Sequence, residues 1–436
     1  MKKLFYRSLS FFNTIESKIA FYPTVLALLG IFFAFLLIYL ESLGVSKYLL
    51  EKAPILVVDN GNTAMTILSA LISGLISVIV FSFSMVMLLL SQASNNYSPR
   101  LLPGLISDRK HQIILGIYLS TILYNIFILF SIQPTGDKYQ IPGFSVLIGI
   151  LGTVICIYAF IYFIHNISQS IQISNILKKI YTQSKIRLTE VIEKETPHLS
   201  PFPDSEDWHE YHSEKNGYLQ NISYTSMIGF SKENDTKLHI LPYKGSFILS
   251  GIPLFKSQKE LGKKQVDQVL QNISFAREEL VEDNYVLGFK QITEIILKAM
   301  SPGINDPGTA INAIDYLTEL LALRMQKKDI NVIRKEEVPY VKINTVDFKD
   351  LLYQVMVAIR TYCKHDVTLC QKLLVMLHYL LQQKTYNEDY YDNIKEEAAV
   401  LLADAKEAIT NPTDIDRLTN LAKTFTFQLN HAAKNE

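Results

Sequence analysis

Two stretches carry residues whose types and spacing could do chemistry. The first is SPGINDPGTAINAIDYL, from Ser301 to Leu317, where two prolines, two glycines, an Asn and an Asp crowd together between apolar, helix-like runs. Ser301, Asn305, Asp306 and Thr309 are the side chains there that could hold a ligand or a partner. Gly308 and Thr309 leave the first-turn amides of a following helix open to Asp306 or to an anion. The same residues make a good corner between two helices. Pro302 forbids continuation of the first helix, Gly303 can supply a positive φ, Asp306 suits an N-cap and Pro307 the first helical position. A turn needs one cap, and this one also offers Asn305 and Thr309, so both readings stand.

The second stretch is a row of hydroxyls. Thr66, Ser69, Ser73, Ser77, Ser84 and Ser91 fall within roughly 80° of one another at about 100° per residue. Ala70 and Gly74 lie beside them. Small residues let helices approach closely in lipid. Hydroxyls can also line a water-filled path, where they stand in for hydration. Either use fits the spacing. Just beyond, Asn95, Asn96, Arg100 and Arg109 would cluster at one membrane face, where they could form an inner mouth or hold lipid phosphate.

Enzyme chemistry finds little support. Asn305, Asp306, Asp283 and Asp315, or Cys363, His365 and Asp366, are the available groups. CKHD reads as a helix end followed by a cap, and the common nucleophile, phosphate-loop and dinucleotide motifs are missing. His209 and His212 lie in an acidic stretch with Glu206, Asp207 and Glu210, a weak metal pattern. No catalytic residue, metal or cofactor is expected. The 42 basic and 42 acidic side chains balance, which gives no electrostatic footprint for nucleic acid.

The elements that must position these residues follow from apolar runs. Ala20–Leu40, Thr63–Ser91, His111–Ile132 and Gly143–Ile167 contain no Asp, Glu, Lys or Arg, and about 20 such residues cross a bilayer. Four transmembrane helices are expected, at about 20–40, 63–91, 111–132 and 143–167. Absence of ionisable residues inside them argues against a proton relay or a voltage sensor. Lys2, Lys3, Arg7 and Lys18, then Arg100, Arg109 and Lys110, then Lys178, Lys179, Lys185 and Arg187 alternate with poorly basic loops. The positive-inside rule then puts both termini and the polar half in the cytoplasm. From Ile171 onward lie 68 of the 84 charged side chains, so the solvent boundary is also a domain boundary. Residues 1–19 read as an interfacial amphipathic segment rather than a signal peptide.

Beyond the membrane, residues 171–195 keep helical spacing as an amphipathic extension and 196–216 read as a linker. Residues 217–258 read as a small β-module with turn glycines Gly245 and Gly251. Residues 259–436 read as an all-α domain, with Asn411-Pro412 as a further helix start. The fold class is therefore mainly α: a four-helix transmembrane domain, a small β-module, then an all-α cytoplasmic domain. Cys156, Cys363 and Cys370 make no disulfide framework, which suits a reducing compartment.

SQASNNYSPRLLPGLISDRKHQIILGIYLSTILYNI and FKQITEIILKAMSPGINDPGTAINAIDYL resemble the two signature blocks of the DUF2254 family of bacterial predicted membrane proteins. The first block matches at Ser98, Pro99, Arg100, Leu101, Leu102, Asp108, Arg109, Gln112, Leu115 and Gly116. The second matches at Ala299, Ser301, Pro302, Gly303, Asn305, Asp306, Pro307, Thr309, Ala310 and Asp315. Upstream of Asp283, Glu278-Glu279 stands where an Arg-Thr pair is usual. The resemblance covers most of the chain and implies its architecture without an activity. Expected partners are the lipid bilayer, further copies of the chain, and a cytoplasmic ligand or protein. The function expected is an oligomeric pore or channel-like protein of the inner membrane with a cytoplasmic regulatory domain. The alternative is a membrane-anchored sensor or scaffold.

Overall fold

The computed structural model describes residues 20–52, 57–58, 60–96, 109–132, 142–170, 172–193, 201–277 and 284–432. The interfacial segment expected at residues 1–19 lies outside them. The chain divides into two compact units, Met1–Gln172 and Ile173–Glu436.

Four long apolar helices make up the first unit: α1 (Phe21–Ser42), α3 (Gly61–Asn96), α4 (Arg109–Ser131) and α5 (Gly143–Ser170), with a short α2 (Val45–Lys52) after the first. All four are long and apolar enough to cross a membrane. Two clusters hold them together. Ala34, Leu37, Leu68, Tyr124, Ile128 and Val146 belong to one, and Leu75, Ile114, Tyr118, Cys156 and Phe163 to the other. The tightest approach is between α1 and α4. Leu26 and the Ser120 backbone crowd the space over Gly116 and Gly30, and a Cβ at Gly30 would sit 2.5 Å from the Ser120 carbonyl oxygen. Close packing through small residues, weighed for the hydroxyl row on α3, is thus realised on a different pair of helices.

The second unit opens with α6 (Ile173–Glu193), a separate element from α5 rather than its continuation. Its apolar face of Ile176, Leu177, Ile180 and Leu188 is buried, and it meets α9 (Tyr285–Ala299) where Gly288 lacks the side chain that would overlap Ser184. The β part is larger than the sequence reading. Strand β1 (His209–His212) falls in the stretch expected as linker. Strands β2 (Gly217–Ile222), β3 (Leu238–Ile240), β4 (Phe247–Ile248) and β5 (Pro253–Ser257) follow, with helix α7 (Tyr224–Glu233) between β2 and β3. After α8 (Lys263–Leu270), the stretch expected as all-α supplies β6 (Ile273–Ala276), β7 (Ile330–Lys335) and β8 (Val338–Asn344). Five strands pair in the order β1-β5-β3-β8-β7, and three in the order β4-β2-β6. The β3–β8 contact is parallel; the other pairings are antiparallel. Gly245 and Gly251 adopt φ of 84° and 86°, the conformation only glycine takes freely.

Helices α9, α10 (Pro307–Arg324), α11 (Phe348–Cys363), α12 (Val367–Leu381), α13 (Asp389–Ala408) and α14 (Pro412–Ala432) complete the unit. Phe289, Ile292, Leu317, Leu321, Phe348, Met356 and Leu373 are among its fully enclosed side chains. Each such side chain contributes about 1.5–3 kcal/mol. Within this core Arg360, almost fully buried, is answered by Glu397 at 3.4 Å and Asp404 at 2.9 Å.

Candidate functional site

The hydroxyl row stays on the outside of α3. Thr66, Ser69, Ser73, Ser77, Ser84 and Ser91 are exposed, as are Ala70 and Gly74. A Cβ at Gly74 would meet nothing within 4 Å. Four of the hydroxyls donate to the carbonyl one turn back: Thr66 to Asn62 at 2.8 Å, Ser73 to Ser69 at 2.9 Å, Ser77 to Ser73 at 3.0 Å and Ser84 to Val80 at 2.9 Å. Bonded in this way, a hydroxyl keeps its lone pairs for whatever lies outside the helix. The row therefore presents acceptors, and it presents them away from the other three helices of its own chain. Asn95 and Asn96 end α3; their side chains, and all of Arg100, lie outside the described residues. Arg109 opens α4 and lies over the Tyr22 ring at 4.6 Å.

A second polar face, not singled out by the sequence reading, points inward. On α4, Tyr118, Thr121 and Asn125 face the helix bundle. The Asn125 side chain is completely buried and neither amide atom has a hydrogen-bond partner among the described residues. Thr121 lies 3.3 Å from Cys156, and Tyr118 faces the buried Ser82 of α3. At the ends of the seam, His111 contacts Asn166 at 3.0 Å, and Glu41 accepts from the Ser145 amide and hydroxyl at 2.8 and 2.9 Å. The signal was available: His111, Tyr118 and Asn125 recur every seven residues, which keeps one helix face.

The Ser301–Thr309 stretch is an exposed corner between α9 and α10. Asp306 caps α10 with both carboxylate oxygens, accepting from the Thr309 amide at 3.1 Å and the Thr309 hydroxyl at 2.6 Å. Those bonds hold its carboxyl below the usual carboxylate range. Ser301 donates to the Lys298 carbonyl at 2.7 Å, and the Asp306 amide closes the corner on the Ala299 carbonyl at 2.8 Å. The positive φ falls on Asn305, at 47°, and not on Gly303. Asn is among the few side chains that tolerate this region, so Gly303 is not what the turn geometry requires. Of the four candidates, three are thus engaged in building the turn, and Asn305 supplies its left-handed residue.

In the Cys363 group, Cys363 and the neighbouring Cys370 are buried. Asp366 caps α12 by accepting from the Leu369 amide at 3.0 Å. Burial pushes the Cys363 thiol up to about 12 and the Cys370 thiol up to about 11, far from the thiolate a nucleophile needs. His209 and His212 lie on β1, where His212 is 3.6 Å from Glu210. Among the described residues no group of three His, Cys, Asp or Glu side chains is placed to hold a metal ion. Asp283 lies outside the described residues, and Asp315 pairs with Lys372 at 2.5 Å.

One half-open pocket in the second unit was not foreseen. It has a volume of about 60 Å³ and draws its walls from α6, the β3–β4 connection, the first turn of α9, and β7–β8. Arg187, Lys244, Lys327, Asn284 and Asn344 are among its polar lining residues, and its walls are mainly apolar, with Val191, Val286, Ile343 and Val346. Asn284 caps α9 through the Val286 amide at 3.0 Å and donates to the Lys244 carbonyl at 3.1 Å. Asn344 donates to the Leu241 carbonyl at 2.7 Å and accepts from His239 Nε2 at 2.8 Å. His239, buried on β3, is pushed below its ordinary value by desolvation. The neutral ring then takes the Ser205 hydroxyl on Nδ1 at 2.7 Å. No sequence motif marks the cavity, because its polar residues are spread from position 187 to 344.

Four membrane-length helices followed by a separate polar unit of small sheets and helices define a membrane protein. The chain belongs to the DUF2254 family of predicted membrane proteins, whose model matches residues 16–379. An uncharacterised protein of Mycobacterium tuberculosis (strain CDC 1551 / Oshkosh) is 27% identical over 333 residues, covering 71% of this chain and 62% of that protein. Uncharacterised proteins of Mycobacterium bovis (strain ATCC BAA-935 / AF2122/97) and Mycobacterium tuberculosis (strain ATCC 25618 / H37Rv) are each 26% identical over the same length and the same shares. The match thus spans less than two thirds of these relatives. No solved structure matches the chain.

Proposed function

We propose that this chain forms an oligomeric pore or channel-like protein of the bacterial inner membrane, with the second unit as a cytoplasmic regulatory domain and both termini in the cytoplasm. The observation that carries the reading is the exposed hydroxyl row of α3. Lipid gives no reason to turn six hydroxyls outward, whereas a symmetry axis shared by several copies does. Only 11% of the apolar window of α3 is buried, against 28–39% in the other three long helices. This leaves α3 the most surface to offer a second copy. Row oxygens that donate to their own helix have lone pairs to spare, which favours cations over anions. The basic residues flanking the spans support cytoplasmic termini.

Cation flux into liposomes by the purified full-length protein tests the reading. Flux is expected, with Ser73→Leu and Ser77→Leu reducing it without unfolding the protein. A particle that is monomeric in nanodiscs and conducts nothing would overturn it. A membrane-anchored sensor or scaffold is the second reading, favoured by the half-open pocket within the second unit. Binding of a ligand to the full-length protein, with no flux in any condition, would select it.

A further inference from the structure

His239 joins three separate pieces of the second unit. It is the middle residue of β3 and is buried. Leu238 and Ile240 on either side of it belong to the apolar core, so alternation turns the imidazole to the opposite face of the sheet. There Nε2 meets Asn344 Oδ1 of β8 at 2.8 Å, and Nδ1 meets Ser205 Oγ at 2.7 Å. The surrounding bonds fix the tautomer. Asn344 donates its amide hydrogen to the Leu241 carbonyl, which leaves its oxygen for the ring. Nε2 therefore donates and Nδ1 accepts.

Ser205 lies in residues 201–208, which precede β1 and form no helix or strand. Asp204, Glu206 and Asp207 around it are exposed, and Ser205 is the buried residue that seats the stretch on the sheet. Lys256 adds a second tie by donating to the Glu206 carbonyl at 2.9 Å. The sheet register sets the charges around the ring. His239 stands opposite Lys256 of β5 on one side and Lys342 of β8 on the other, and cross-strand partners share a face. Burial, then Lys342 and Lys256, lower the pKa of the ring against the bond to Asn344. Glu210 of β1 pairs on the far side of Lys256, and Asp204 accepts from the Glu206 amide at 3.2 Å. A proton on Nδ1 meets the hydroxyl that was donating to it, so the Ser205 hydroxyl must turn away. It also places an imidazolium between two ammonium groups in a buried position.

We infer that His239 is an acid-sensitive latch: its protonation releases Ser205 and frees residues 201–208 from the five-stranded sheet. The folded chain favours the neutral ring, so the hold is complete above the ordinary histidine value of about 6.5. It is lost as pH falls through the lower folded value. The latch works within the second unit and is independent of how the membrane helices are used.

The one tryptophan of the chain, Trp208, lies in the same stretch with its ring 5.6 Å from that of Phe202, and it reports the release. The test titrates the full-length protein in phosphatidylcholine nanodiscs from about pH 8 to about pH 5, reading Trp208 emission and its quenching by acrylamide. One reversible transition to a more quenchable state is expected, with a midpoint below about 6.5. His239→Gln, which can still donate and accept, is expected to abolish it. Lys342→Gln removes a neighbouring charge and is expected to move the midpoint up. Ser205→Ala is expected to give the quenchable state already at about pH 8. His209→Gln, exposed and next to the tryptophan, is expected to leave the midpoint in place. If His239→Gln does not fold, the Lys342→Gln midpoint decides. No transition in this range, one that His239→Gln leaves intact, or a midpoint that Lys342→Gln does not raise, overturns the latch.

Discussion

Helices α3 and α4 are near equals by composition and opposites in place. Their apolar windows have mean hydropathies of 2.4 and 2.2, yet 11% of the first is buried and 39% of the second. Each carries polar side chains along one face. On α3 that face is outside, its hydroxyls tied back to their own backbone. On α4 it is inside, and Asn125 is left without partners among the described residues. The difference comes from neighbours. Helix α4 packs against α1, α3 and α5, so every face that is not lipid-facing must be filled. Helix α3 spends one side on α4 and α5 and leaves the rest free. The second unit repeats the contrast. An exposed corner at Ser301–Thr309 was conspicuous in the sequence, and a half-open pocket assembled from distant residues was not.

The comparison breaks most visibly at two glycines. Gly30→Ala forces a carbon against the Ser120 backbone and is expected to destabilise the first unit by about 1–3 kcal/mol. The same change at Gly74, where nothing lies within 4 Å, is expected to leave the protomer's melting unchanged. Thermal melts in detergent compare the two directly. If Gly74→Ala instead lowers the oligomer fraction seen by size-exclusion chromatography, the outer face of α3 is an interface. Equal melting losses from both would show that α3 is packed within its own chain.

Asn125→Leu comes next. Replacing an amide that has no partner among the described residues by the same branched shape without polar atoms removes a desolvation cost of about 1–3 kcal/mol, which offsets the strain of the larger methyl groups against Gly149, so the melting point is expected to stay unchanged. Flux assays on the same variant sharpen the contrast. Retained flux keeps the conducting path on the α3 side, whereas lost flux in a stable protein moves it to the inner seam. In the second unit, Asp306→Ala removes a helix cap and is expected to cost about 1 kcal/mol, less than the change at Gly30. Loss of function with an unchanged melt would make the corner a site after all.

Much of the chain was legible because its determinants are local. The four spans appear within a few residues of the apolar runs, and the helix starts at Asp306-Pro307 and Asn411-Pro412 appear where cap and proline chemistry put them. The β7–β8 hairpin was hidden for a specific reason. Its turn is made by Glu336 and Glu337, at φ of 51° and 67°, where Asn or Gly is the usual mark. Strand β8 then pairs in parallel with β3, joining Val341 to Leu238 and Ile343 to Ile240. That contact reaches across some hundred residues of chain, and no local signal announces it. The cavity depends on the same long-range pairing, since Asn344 reaches His239 only once β8 lies beside β3.

The sequence by itself determined where the chain crosses lipid, which residues end and begin helices, and that the polar half forms its own unit. Those properties follow from hydrophobicity, backbone stiffness and capping, each settled within a turn or two. Only the tertiary structure decided which polar face of the membrane helices points inward, that glycines join α1 to α4, and that Arg187, Lys244 and Lys327 line one pocket. These outcomes depend on which surfaces meet. A helix face becomes interior or exterior only when a neighbour covers it, and charges far apart in the chain share a pocket only after the chain has closed around it.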